Sequence, residues 1–150
     1  MPIQLKEDDL IFKPNIGIGK IRFIHNTSDI ISLYGRAEEM DIHNETECVA
    51  YEYFSNITRL SVFFHYDNGK LDYTSIHTEK LIVNNVEISN MNREELLSHI
   101  KDFHKSLNVE YQEQFEDNDL DISHSFDNIG LTVWFEDNKI SDICVNPVFE

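Results

Sequence analysis

The stretch Leu60-Ser61-Val62-Phe63-Phe64-His65-Tyr66-Asp67-Asn68-Gly69-Lys70-Leu71-Asp72-Tyr73-Thr74-Ser75 sets the class of fold. Leu60, Val62, Phe64 and Tyr66 recur at every second position and so share one face of a strand. Asp67-Asn68-Gly69 turns the chain, and Leu71, Tyr73 and Ser75 return, which is a hairpin pattern. A second hairpin follows the same plan: Leu131-Thr132-Val133-Trp134-Phe135 leads into Glu136-Asp137-Asn138, and residues 140–145 come back. Leu60-Ser61-Val62-Phe63-Phe64 matches Leu131-Thr132-Val133-Trp134-Phe135 at an offset of 71, and a helix precedes each. The chain thus reads as two copies of a helix-then-antiparallel-strands unit.

Further strands are expected at residues 19–24 and 47–54, with a short hairpin at 81–88 around Asn84-Asn85. Two helices are signalled. Asn92 caps the longer one with Glu95 three residues on, and Met91 can staple onto Leu96. Leu96, Leu97, Ile100, Phe103 and His104 then follow at helical spacing, which predicts a helix over 92–106. The shorter, over 28–35, starts at Asn26 or Thr27, turns Ile30, Ile31 and Tyr34 inward, and stops at Gly35. The expected architecture is α+β: a twisted antiparallel sheet with two helices packed on one face. Residues 1–150 form one domain, with 1–15 as a loosely ordered arm.

The chain has 150 residues, 12 basic and 28 acidic, for a formal net charge of −16. That length suffices for one core, and 41 % hydrophobic residues can fill it. The charge excludes functions whose affinity comes from neutralising phosphates, so direct nucleic-acid binding and attachment to an anionic membrane are not expected. The amino terminus carries acidic residues where an export signal would be apolar, and no apolar run reaches the roughly 20 residues of a membrane span. Cys48 and Cys144 lie in strand-like runs and read as reduced structural thiols, as in a cytoplasm.

No pattern of catalysis stands out. Gly17-Ile18-Gly19 lacks a third glycine and a Gly-Lys-Ser/Thr, and a strand follows it where a phosphate loop needs a helix. Asp117-Asn118-Asp119-Leu120-Asp121 opens like a calcium loop, yet Ile122 and Asn128 stand where the turn glycine and bidentate glutamate belong. The seven histidines form no His-x-x-x-His, and His65 with Asp72 across the hairpin is the one histidine and acid pair that suggests itself. No catalytic residue, cofactor or metal is therefore assigned, and no enzymatic activity is expected.

Charge distribution says more. Residues 1–75 carry net −5 and residues 76–150 net −11. Between Glu110 and Asp127 lie seven acidic residues and no Lys or Arg, with Tyr111, Phe115 and Phe126 interleaved. Such a run can be a solvated face; beside aromatic rings it suits a basic partner, the charges steering encounter and the rings supplying contact area. Glu110, Glu113, Glu116, Asp117, Asp119 and Asp121 are the expected partner-binding carboxylates. Trp134 is the expected anchor, because it points away from Leu131, Val133 and Phe135; the competing expectation places it beneath the 92–106 helix.

Gly17-Ile18-Gly19-Lys20-Ile21-Arg22-Phe23, followed by a short helix ending in Tyr34-Gly35, resembles the opening of small bacterial immunity proteins of contact-dependent growth inhibition and polymorphic toxin systems. Where that type carries Gly-Met after the phenylalanine, this chain has Ile24-His25. The resemblance implies a cytoplasmic inhibitor that covers a toxin's active site or a nearby surface, with no shared catalytic residues. A basic toxin, expected to be a nuclease domain, would account for the acidity from the other side. The alternative is a non-enzymatic adaptor or scaffold that binds another protein or peptide.

Overall fold

A computed structural model describes residues 3–103, 111–115, 122–126 and 129–148. The chain enters through a 3-10 turn (Glu7–Leu10) and three two-residue strands, β1 (Phe12–Lys13), β2 (Gly17–Ile18) and β3 (Ile21–Arg22), paired antiparallel in chain order. Next come α1 (Thr27–Tyr34), β4 (Glu39–His43), β5 (Cys48–Phe54), β6 (Arg59–Asp67) and β7 (Lys70–Thr78). A short hairpin, β8 (Ile82–Val83) and β9 (Val86–Glu87), leads to α2 (Arg93–Phe103). β10 (Tyr111–Phe115), β11 (Ile122–Phe126), β12 (Leu131–Glu136) and β13 (Lys139–Val145) complete the chain.

β4 to β7 form one up-and-down meander and β10 to β13 another. β7 pairs antiparallel with β13, so a single eight-stranded sheet runs β10-β11-β12-β13-β7-β6-β5-β4. The fold is α+β with an antiparallel sheet, as the alternation implies.

Local chemistry explains the elements. Asn26 Oδ1 accepts from the Asp29 N–H at 3.0 Å and Asp29 Oδ2 accepts from the Asn26 N–H at 2.9 Å, a reciprocal cap for α1. Gly35 ends that helix at φ 79°. Asn92 and Glu95 cap α2 in the same reciprocal way. The two long hairpins turn on Asn68-Gly69 and Asp137-Asn138, all four residues at positive φ, the backbone that matches strand twist. Each hairpin also carries a bulge at the same place. Asp72 is the extra residue between the Tyr66/Leu71 and His65/Tyr73 pairs, and Ser141 is the extra residue between Phe135/Ile140 and Trp134/Asp142. Aligned on their turns and bulges, the hairpins correspond at an offset of 69, which sets Val62 against Leu131, not at the 71 read from the apolar match.

Leu60, Val62, Phe64, Ile76, Leu131, Val133, Phe135, Ile143 and Val145 of the sheet share one buried cluster with Ile30 of α1 and with Leu96 and Ile100 of α2. The amino-terminal segment joins it as well. Leu5 and Leu10 are buried, and Phe12, Ile18, Ile21 and Phe23 belong to the cluster, so much of the expected arm is anchored in the fold. Of the strand expected over 19–24 only Ile21–Arg22 is extended; Gly19 and Lys20 turn the chain between β2 and β3, and at Gly19 a Cβ would stand 2.5 Å from the Asp9 carbonyl oxygen. The close approach of backbone, not phosphate, accounts for that glycine.

The acidic segment differs from expectation as well. Residues 111–115 and 122–126 within it are strands β10 and β11, where no strand was expected, and residues 117–121 lie outside the described residues. Phe126, read as a contact ring, is buried in the cluster, and His124 beside it is fully buried.

Candidate functional site

Alternation along the strands separates two faces. Residues paired with the buried set lie on one; the other carries Glu39, Asp41 and His43 of β4, Glu52 of β5, Ser61, Phe63 and His65 of β6, and Tyr73, Ser75 and His77 of β7. Across the β7·β13 seam the same face continues through Cys144 and Asp142 to Thr132 and Trp134. Its rings form a connected row. Tyr73 stacks on His65 at 4.2 Å between centroids, Phe63 stands 6.4 Å from His65 and 4.8 Å from His77, and His77 stacks on Trp134 at 6.0 Å. All five are half-buried and lie outside the buried cluster.

A depression of about 310 Å³ opens beside this row, lined in part by Glu52, Arg59, Phe63, His77, Glu79 and Asp142. Two charge pairs shape it. Glu52 is buried, and its Oε2 accepts from Ser61 Oγ at 2.6 Å and from Arg59 Nε at 3.0 Å, with Arg59 Nη2 at 2.9 Å. That fork and hydroxyl satisfy a carboxylate that would otherwise be costly to bury. On the far side, His77 Nδ1 lies 3.2 Å from Asp142 Oδ2 and ties the two meanders together. Burial disfavours the charged imidazole, but hydrogen bonds to Asp142 and Cys144 and their nearby charges outweigh it, so His77 is pushed up to about 10. His65 moves the other way, lowered by burial despite the nearby Asp72 carboxylate. Its Nε2 is 2.8 Å from Ser75 Oγ, so Ser75, not Asp72, is its hydrogen-bond partner.

Trp134 stands on the face opposite Leu131, Val133 and Phe135, stacked on His77, not beneath α2. Of the expected carboxylates, Glu110, Glu116, Asp117, Asp119 and Asp121 lie outside the described residues. Glu113 is placed on β10 by its backbone, paired with His124. The structure brings together a group that sequence reasoning did not: Glu52, Phe63, His77 and Asp142 with Trp134. Their alternation was legible in each hairpin separately, but the pairing of β7 with β13 was not.

Among the described residues, no group of three or more His, Cys, Asp and Glu side chains is placed to hold a metal ion. Both cysteines are free, and no described helix is long and apolar enough to cross a membrane. No protein-family model, no curated protein and no solved structure matches the chain.

Proposed function

We propose that the chain is a non-enzymatic binding protein that captures a basic protein on the open face of its sheet. The observation that carries this is the half-buried row Tyr73, His65, Phe63, His77 and Trp134, set among the carboxylates Glu39, Asp41, Glu79 and Asp142. Rings of this kind supply contact area and carboxylates at the rim steer a cationic partner. With the net charge of −16, the surface suits a basic partner far better than nucleic acid. The resemblance of the opening residues to immunity proteins then gives the partner a class: a bacterial toxin domain, a nuclease by its basicity, neutralised in the cytoplasm.

The finer fold belongs to the same reading. Both helices cover the buried face, leaving the other uncovered among the described residues, and the two halves descend from one helix-plus-four-strands unit. Support comes from Ile30, Leu96 and Ile100 in the common cluster and from the matching turns and bulges.

The test uses the carboxy-terminal domain encoded immediately upstream of this gene. A stable complex with the purified chain, and loss of that domain's nuclease activity, is the expected result. A basic upstream domain that stays active and elutes separately from the chain would overturn the reading.

A further inference from the structure

β4 ends the eight-stranded sheet, and among the described residues no strand pairs with its outer edge. The Tyr66 N–H donates to the Glu47 carbonyl, so along β5 the odd-numbered residues turn toward β6. Cys48, Ala50 and Glu52 therefore turn toward β4, in agreement with the hydrogen bond from the Glu38 N–H to the Glu52 carbonyl. Their partners His43, Asp41 and Glu39 spend their backbone groups inward. Met40 and Ile42 direct theirs at the open edge, with side chains 56 % and 62 % exposed.

The side chains divide this edge into two characters. Exposed Glu39 and Asp41 lie on the same face as Glu52, whereas Met40 and Ile42 are apolar and lie on the opposite face. A strand laid against β4 presents its own side chains in the same alternation, so cross-strand complementarity asks for Lys or Arg beside the carboxylates and apolar residues beside Met40 and Ile42. We infer that β4 is a docking edge for an extended segment of a basic protein in which cationic and apolar residues alternate, added as one more strand. The inference rests on the basic-partner reading above and places the partner's cations on the same open face. A second copy of this chain is the poorer occupant. Antiparallel pairing centred on Asp41 opposes two carboxylates, pairing centred on Met40 sets Glu39 against Asp41, and only a register centred on Ile42 escapes this, between chains each carrying −16. Exposed charges on an edge are also how natural sheets avoid pairing with themselves.

The experiment titrates short labelled peptides, one alternating Lys with Val and one alternating Glu with Val, into the full chain, with amide exchange followed residue by residue. The Lys–Val peptide is expected to bind at least about tenfold tighter than the Glu–Val peptide and to slow exchange at Met40 and Ile42. Ile42→Pro removes an outward donor and no inward hydrogen bond, so it should fold and weaken the Lys–Val peptide by about tenfold. Ile42→Thr keeps the outward N–H and should weaken binding far less than the proline does. The double variant Glu39→Lys with Asp41→Lys keeps every backbone group and should reverse the peptide preference. Unchanged binding by folded Ile42→Pro, unchanged exchange at Met40 and Ile42, or a dimer in sedimentation that Ile42→Pro dissolves would each overturn the inference. An upstream basic domain that binds as well to Ile42→Pro as to the parent defeats the edge alone; one that binds neither defeats the reading beneath it.

Discussion

Ile76 of β7 and Val145 of β13 stand directly opposite one another at the centre of the eight-stranded sheet, both fully buried, each seven residues beyond the last residue of its own hairpin turn. The two meanders therefore meet at corresponding positions, and the open face bridged by His77 and Asp142 is built across that seam. Ile76→Ala and Val145→Ala should each cost about 2–4 kcal/mol, because the cavity opens where four strands on either side leave little room to collapse. Ile76→Val should cost under about 1.5 kcal/mol. Urea midpoints at constant slope check this; a loss confined to one of the two alanine variants would show that the seam is not shared.

What the sequence made legible was local. The alternation of Leu60 to Tyr66 and of Leu131 to Phe135, the turn residues, and the caps at Asn26 and Asn92 all act within a few residues. β4 was missed because Glu39, Met40, Asp41, Ile42 and His43 are all exposed, so no buried face selected its pattern. β10 and β11 were hidden by the acidic run around them. The match between the two hairpins was set two residues off because a shift of two keeps every side chain on its face. His77 and Asp142 are 65 residues apart, and only the pairing of β7 with β13 makes them neighbours.

A second expectation concerns pH. His77 is raised to about 10, so its charge stabilises the fold fully below its ordinary value near 6.5, and that contribution is lost as pH rises through about 10. Allowing for solvent at the half-exposed Asp142, the loss should be about 1 kcal/mol. Asp142→Asn should flatten the fall in urea midpoint between pH 7 and 10. Trp134 emission should rise over the same interval, because an imidazolium stacked on indole quenches it and a neutral imidazole does so less. A pH profile identical in His77→Gln would contradict the assignment.

Glu52 and Arg59 should be strongly asymmetric under substitution. Arg59→Ala leaves a buried carboxylate with Ser61 as its remaining donor in the fork and should cost about 2 kcal/mol. Adding Glu52→Gln to that variant should recover part of the loss, since no buried charge remains. A double variant less stable than Arg59→Ala alone, measured by thermal unfolding, would rule this out.

Glycines at comparable positive φ should differ according to what surrounds them. At Gly69, φ 78°, an added Cβ meets open space, and alanine should cost about 1 kcal/mol from backbone strain alone. At Gly130, φ 69°, the same atom would run into the Asn146 carbonyl oxygen, whose residue also donates its N–H to Gly130. Gly130→Ala should therefore be the more damaging by about 2 kcal/mol or more, read as the difference in unfolding midpoint. Equal losses would show that Asn146 yields freely.

Trp134 is the one tryptophan of the chain, and it sits on the open face against His77, so it reports on that face without a mutation. Incorporating 5-fluorotryptophan gives a single fluorine resonance, which can be followed as the basic upstream domain is added. Capture on the open face predicts a shifted resonance and loss of its solvent-isotope effect at saturation, with the association rate falling as salt screens the carboxylates. A stoichiometric complex that leaves the Trp134 resonance where it was in the free chain would contradict the account.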